Sequence, residues 1–360
     1  AGVHPSDVAL EGGAGRVQQM PLTRFPVETE VDGERCVTRS TGPPALDLSA
    51  VKRYGREVTG RDAWLGADLF EALCATFVDR VVFEDPAAIE GLSGRPVLLL
   101  GNHQVQVESM LLPTLLSPLL SSDIVTIAKS QHEAGWVGSF VELAASHPEV
   151  DYPERIVYFD QSDPGSMLGI LERLEADIAQ GRSLFLHVEG ELGLSCRDEV
   201  KTMSSVFIDY AIRLGLPIVP VRFTGGLPAE PLKSTIDFPL GYGRQTHHIG
   251  RPISPESLQA LGLKERSQKI LSAINTLGPA ASAESPAAPS PTLTEAVEAW
   301  RKARDLSEAQ AVALAALEGL GEPSDDTLRL LDLARGGEAT WEATEGDVWL
   351  KSAAARLLGA

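Results

Sequence analysis

Arg95-Pro96-Val97-Leu98-Leu99-Leu100-Gly101-Asn102-His103-Gln104-Val105-Gln106-Val107-Glu108 is the stretch from which the rest of the chain is read. Its first half is a short apolar run after turn residues, the pattern of a buried strand. The next residues, Ser109-Met110-Leu111-Leu112-Pro113, are apolar and begin as a helix. A histidine therefore stands where a strand ends and a helix begins, with a carboxylate five residues further on. Open α/β sheets bind ligands at the carboxyl ends of their strands. A histidine placed there takes a proton from a hydroxyl near neutral pH, and a neighbouring carboxylate fixes its tautomer and stabilises the imidazolium. The competing reading is a histidine that caps the helix and a Glu108 solvated on its first turn. The spacing predicts His103 and Glu108 in hydrogen-bond contact.

Outward from this stretch, apolar strands alternate with helical periodicity. Strands are predicted at 81–83, 124–128, 156–159, 184–188 and 218–223, with later ones at 236–238 and 247–250. Helical spacing of Trp64, Leu65, Leu69, Phe70, Leu73 and Phe77 covers 61–80. Asp163-Pro164 starts a helix that stops at Gly181, and another over 203–214 stops at Gly215, by cap chemistry at both ends. This rhythm predicts an α/β fold: a mostly parallel central sheet flanked by helices. Adjacent His247 and His248 point to opposite faces of their strand, which disfavours a shared metal.

The ends are composed differently. Residues 1–58 are poorly patterned and read as an arm on the main domain, which spans 59–277. Residues 278–292, rich in Pro, Ala and Ser, read as an extended, semi-flexible linker. Residues 293–360 read as a small helical C-terminal appendage, dispensable for chemistry, with helices at 294–317 (broken near Leu306-Ser307), 325–333 and 348–358.

Composition narrows the function. Hydrophobic residues make up 43% of the chain and charged residues 22%, ordinary for a globular protein. The formal net charge of −19 argues against nucleic acid as a partner and against a generally basic membrane-facing surface. Cys36, Cys74 and Cys196 are unclustered, as suits a reducing, cytoplasmic setting. No run reaches the roughly 20 apolar residues of a membrane span, and Ala1-Gly2-Val3-His4-Pro5 lacks the basic and apolar regions of a signal peptide. Neither a Walker A pattern nor a strand-borne Gly-x-Gly-x-x-Gly is present, so no cofactor is expected.

Two further stretches extend the pattern. The strand ending at His187-Val188 runs into Glu189-Gly190-Glu191, and Pro217-Ile218-Val219-Pro220-Val221-Arg222-Phe223 runs into Thr224-Gly225-Gly226. Asn-His-x4-acid, Glu-Gly after a strand, and Pro-Ile-Val-Pro-Val, in this order over roughly 80–255, resemble the glycerol-phosphate and 1-acylglycerol-3-phosphate (lysophosphatidate) acyltransferase family. Within it, the chain looks most like the acyltransferase domains of bacterial polyunsaturated fatty-acid synthases. The resemblance implies that His103 is a general base oriented by Glu108 and that Glu189 and Gly190 help hold the acceptor. Transfer then runs from an acyl carrier protein or coenzyme A thioester to a lipid hydroxyl, with no covalent acyl-enzyme needed. It also implies lipid biosynthesis, room for peripheral membrane contact, and other synthase modules as partners.

The sequence departs from that family in three places. Glu108 stands where Asp is usual. Glu189-Gly190 is followed by Glu191-Leu192 instead of Thr-Arg. The strand at 156–159 leads to Asp160-Gln161 instead of Asp-Arg. The two missing arginines are the family's ligands for the acceptor phosphate. Arg197 and Lys201 are the substitutes nearest in sequence, Arg222 is a third because strand ends converge on one rim of the sheet, and at least one of the three is expected to face the cleft. Two other functions compete with acyl transfer: a thioester hydrolase using the same base on water, and a non-catalytic acyl-binding or docking module. A serine hydrolase is disfavoured because no Gly-x-Ser-x-Gly elbow is present.

Overall fold

The computed structural model describes residues 27–31, 34–38, 65–148, 155–160, 162–286 and 288–359. Strands β1 (Val27–Val31) and β2 (Glu34–Thr38) pair antiparallel within the expected arm, the rest of which lies outside the described residues. The main sheet contains β3 (Val78–Phe83), β4 (Leu98–Gly101), β5 (Ile124–Lys129), β6 (Ile156–Phe159), β7 (Ser183–His187), β8 (Ile218–Thr224) and β9 (Gln245–Ile249). Their order is β3-β9-β8-β4-β7-β5-β6. Only β8 and β9 run antiparallel; every other neighbouring pair is parallel.

The helices are α1 (Leu65–Phe77), α2 (Pro86–Glu90), α3 (Glu108–Leu120), α4 (Trp136–Ala145), α5 (Pro164–Ala179) and α6 (Val206–Leu214). They continue with α7 (Pro255–Gln259), α8 (Leu263–Thr276), α9 (Pro291–Ala303), α10 (Glu308–Glu318), α11 (Asp325–Ala334) and α12 (Glu345–Leu358). They cover both faces of the sheet, and the alternation along β4 shows how. Leu98 and Leu100 enter a core shared with α5, α6 and α8, whereas Leu99 enters the opposite core with α1, α3 and α4. This is the α/β architecture that the strand–helix rhythm predicts.

Local chemistry sets the ends of these elements. Asp163 caps α5 through its carboxylate and the Gly165 amide, with Pro164 opening the helix. Gly181 and Gly215, with φ of +85° and +67°, turn the chain left-handed after α5 and α6. The break expected near Ser307 is a capping box between Ser307 and Gln310.

Two expectations differ from the fold, and one helix has no counterpart among them. The helix over 61–80 stops at Phe77, because Val78 to Phe83 pair with β9 as a strand. Residues 236–238 are not a strand: Phe238 packs on the Phe77 and Trp136 rings, and the Asp237 carbonyl accepts from the Val107 amide. Helix α8 is unanticipated, since its buried residues reduce to Ile270, Leu271 and Ile274 among charged neighbours.

The largest difference lies in the last 80 residues. The stretch expected as a semi-flexible linker carries Glu284, 2% exposed and bound to side chains of the sheet domain. The helices expected as an appendage share a core with α1, where Trp300, Leu314 and Leu317 are buried. The Asp68 carboxylate of α1 accepts from the Ser324 amide at 2.6 Å and from the Ser324 and Thr327 hydroxyls, both at 2.7 Å. Trp349 Nε1 donates to the Leu143 carbonyl of α4. Among the described residues, no helix is long and apolar enough to cross a membrane.

Candidate active site

The three central strands end side by side. Gly101 of β4 is in register with His187 of β7 and with Val221 of β8. The chain leaving β4 is clamped to both neighbours. Asn102 reads the β8 backbone in both directions, Oδ1 accepting from the Phe223 amide at 2.7 Å and Nδ2 donating to its carbonyl at 3.0 Å. On the other side, Glu189 Oε2 accepts from the His103 amide at 2.8 Å. His103 is thereby fixed at the carboxyl end of the sheet.

Helix α3 starts at Glu108, whose side chain turns back, fully buried, under the loop it terminates. Glu108 Oε1 lies 3.0 Å from His103 Nδ1 and accepts from the Gln104 amide at 2.7 Å. Its Oε2 accepts from Gln245 Nε2 at 2.6 Å. The helix N-terminus adds favourable dipole potential to this carboxylate. An ionised carboxylate only accepts, so His103 Nδ1 carries the proton and Nε2 presents a lone pair. The solvated Glu108 of the competing reading does not occur.

A second imidazole lies beneath the first. The His187 ring stacks on His103 with centroids 3.6 Å apart and planes 13° from parallel. Its Nδ1 is 2.6 Å from the Asn102 carbonyl oxygen and its Nε2 is 2.9 Å from Ser109 Oγ. Pro113, inside α3, has no amide hydrogen for the Ser109 carbonyl; Thr126 Oγ1 of β5 donates to it instead, at 3.1 Å.

Burial drives these groups toward their neutral forms. It pulls His103 down to about 3, with His132 and Lys129 adding to the effect. It likewise pulls His187 down to about 3. It pushes Glu108 up to about 7 against the opposing influence of His187, Gln245 and backbone amides. Glu189 also rises to about 7, chiefly through burial. Below that pH the His103–Glu108 pair takes up a second proton beyond the one on Nδ1, whichever atoms carry the two.

Donor atoms of His103, Glu108 and His187 lie within 4.8 Å of one another, close enough to raise the question of a metal. Imidazole lone pairs lie in the ring plane. With the rings stacked, an ion in the plane of one is displaced from the plane of the other, and both Nδ1 atoms already face oxygen partners. The trio fits proton relay better than ligation.

A further network supports the loop. Glu284 accepts from Gln104 Nε2 at 2.9 Å, the Gly225 amide at 3.0 Å and Arg222 Nη2 at 2.8 Å. Arg222 Nη1 also donates to the carbonyls of Asn275, Leu277 and Pro279, each at 2.8 Å. Arg222 is thus committed to partners inside the protein. Losing one partner of a buried pair costs about 3–5 kcal/mol. Arg222→Met therefore lowers unfolding free energy in urea by about that amount, and adding Glu284→Gln to it restores part of the loss.

His103 opens onto a cavity of about 370 Å³, within the usual range of ligand pockets. His187, Ser109, Glu189, Gly190, Lys129 and His132 line its polar end, and Ile156, Phe159, Leu186 and Phe207 are among its apolar walls. Gly190, with φ of +69°, makes a left-handed turn after Glu189; a Cβ there would stand 3.9 Å from Lys129 Nζ.

Of the residues singled out in the sequence, His103, Glu108, Glu189 and Gly190 come together here. The expected phosphate ligands do not. Arg222 points to Glu284, Arg197 Nε donates to the Glu284 carbonyl at 3.3 Å, and Lys201 is exposed; none of the three lines the cavity. Gln161 lies outside the described residues. Lys129, closing β5, supplies the lysine of the cavity wall. His247 packs edge-on against Phe223, while His248 Nε2 lies 3.0 Å from Thr224 Oγ1, as expected of opposite faces. Sequence reasoning missed His187, Ser109, Lys129 and Glu284. The polar residue ending the apolar run 183–187 was the available signal for His187.

Comparison with protein-family models and with curated proteins finds no match.

Proposed function

We propose that the protein is an O-acyltransferase that moves a fatty acyl group from a coenzyme A or carrier-protein thioester to a hydroxyl acceptor. The observation that carries this reading is His103, paired with buried Glu108 at 3.0 Å, on the wall of a cavity with an apolar flank. His103 Nε2 takes the acceptor's proton as its oxygen attacks the acyl carbonyl, and Glu108 stabilises the imidazolium that forms. The apolar walls suit the acyl chain, and Glu189-Gly190 shapes the acceptor side. The motif order shared with the lysophosphatidate acyltransferases supports the same class, with a lysophospholipid or glycerol phosphate as acceptor and lipid synthesis as the setting. A cytoplasmic location, with other synthase modules as partners, belongs to this reading.

The test is thiol release from a long-chain acyl-coenzyme A, measured with lysophosphatidate, glycerol 3-phosphate, glycerol and no acceptor. Release that depends on an acceptor supports the proposal, and absence of release with any of them overturns it. A thioester hydrolase is the second reading, favoured by the positions of Arg197, Lys201 and Arg222 away from the cavity. Equal release without acceptor would establish it.

Lys129 takes the place of the missing arginines in this account, as a charge-assisted donor to an acceptor phosphate. Lys129→Met is expected to raise the acceptor's KM about tenfold or more, the loss of about 1.4 kcal/mol of binding, while changing the thioester's KM little. Steady-state kinetics with each substrate varied checks this.

The pH dependence comes from the second proton of the His103–Glu108 pair. The base form needs the His103–Glu108 pair to lose its second proton and keep the one on Nδ1, and Glu108 is raised to about 7. As pH falls below about 7, kcat/KM is expected to drop about tenfold per unit; above it the rate levels. Glu189 titrates in the same range, so Glu189→Gln should keep this limb and Glu108→Gln should abolish it.

A further inference from the structure

The hydrogen bonds of His187 leave its ring one orientation. A carbonyl oxygen only accepts, so Nδ1, 2.6 Å from the Asn102 oxygen, carries the ring proton. Nε2 of the neutral ring is then a lone pair, and the group 2.9 Å away is the Ser109 hydroxyl. Ser109 therefore donates to His187. A hydroxyl bonded to a base, with that base oriented by a third group, is the arrangement of an activated nucleophile. Ser109 lies in the first turn of α3, where the helix dipole favours developing negative charge. Both residues line the cavity that holds His103.

We propose that Ser109 is a nucleophile that receives the acyl group from the thioester before His103 directs its transfer to the acceptor. The proposal rests on the acyl-transfer reading above. In the first half-reaction, Ser109 Oγ attacks the thioester carbonyl carbon and its proton passes to His187 Nε2. The carbon–sulfur bond breaks, the sulfur leaves with that proton as a thiol, and an ester remains on Ser109. In the second, His103 Nε2 takes the proton of the acceptor hydroxyl, whose oxygen attacks the serine ester. The bond from Ser109 Oγ to the acyl carbon breaks, and His103 returns the proton to Ser109. No oxidant or further co-reactant enters.

The charges fit such an alternation. Two imidazolium rings stacked at 3.6 Å would repel one another. The one carboxylate, Glu108, lies 3.0 Å from Nδ1 of His103 and 3.9 Å from Nδ1 of His187. It can serve either ring when that ring is charged. A two-step transfer charges one ring in each half-reaction, whereas direct transfer uses His103 alone and leaves the Ser109–His187 bond idle.

The test is intact-protein and peptide mass spectrometry after mixing the full chain with decanoyl-coenzyme A and no acceptor. The expected result is one decanoyl group replacing one hydrogen on Ser109, accumulating in His103→Ala and missing in Ser109→Ala. Ser109→Ala should also lose about 100-fold or more in kcat for ester formation. Ser109→Cys, which keeps a nucleophile and the local packing, should trap the acyl group as a thioester cleaved by neutral hydroxylamine. Ester formation at the wild-type rate in Ser109→Ala, or loss of rate there with no adduct in His103→Ala or Ser109→Cys, overturns the proposal and leaves direct transfer by His103 standing. Neither adduct nor ester from the wild-type chain overturns the acyl-transfer reading as well.

Discussion

A chain ending at Leu277 is expected to aggregate. The cut removes α9 to α12, and with them the cover of α1, whose Leu65, Leu69 and Leu73 are fully buried. Re-exposing a buried side chain of this size costs about 1.5–3 kcal/mol. Three of them together approach the whole 5–15 kcal/mol by which a domain is usually stable. Asp68 loses the hydroxyls and amide of Ser324 and Thr327 that satisfy it in the interior. Glu284 goes too, leaving the Arg222 guanidinium buried without its carboxylate. Soluble expression, circular dichroism and urea titration of the truncated and full chains check this. A soluble truncated chain with a cooperative transition would show that the sheet domain stands alone, as the Pro/Ala/Ser composition of 278–292 suggests.

His103→Ala is expected to lower kcat for acyl transfer by about 10²–10⁴-fold, the usual contribution of a general base, with a cooperative unfolding transition retained. The ring lies on the cavity wall rather than in a core cluster, and its main-chain bonds to Glu189 and Gly193 persist in the variant. A variant retaining most of the wild-type rate would remove His103 from the chemistry and shift attention to His187.

The loop that carries His103 is legible because its signals are local. A four-residue apolar strand, a histidine at its end and a carboxylate on the next helix need only strand and helix periods to be placed. Glu189 and Gly190 were legible for the same reason, at the end of β7. Arg197 and Lys201 are the basic residues nearest Glu189 along the chain, and that separation does not bring either to the cavity wall. Residues 202–204 do line the cavity, but Arg197 turns to the Glu284 carbonyl and Lys201 is exposed, while Lys129, 61 residues before Gly190, stands beside that glycine. Glu284 was illegible for a different reason. It sits in a stretch with no periodicity, and its burial is decided by Arg222, Gln104 and the Gly225 amide, all more than 50 residues away in sequence. His187 was read as one more residue of an apolar strand, since alternation says which face a side chain takes and not what it meets there.

The most direct test of the central claim is the product partition in one reaction. The wild-type chain is supplied with acyl-coenzyme A and lysophosphatidate, and acyl ester and free fatty acid are quantified together against thiol released. The account predicts ester close to equimolar with thiol, little free acid, and the loss of both ester and thiol turnover in His103→Ala. Thiol matched by free fatty acid, at a rate indifferent to lysophosphatidate, would contradict it.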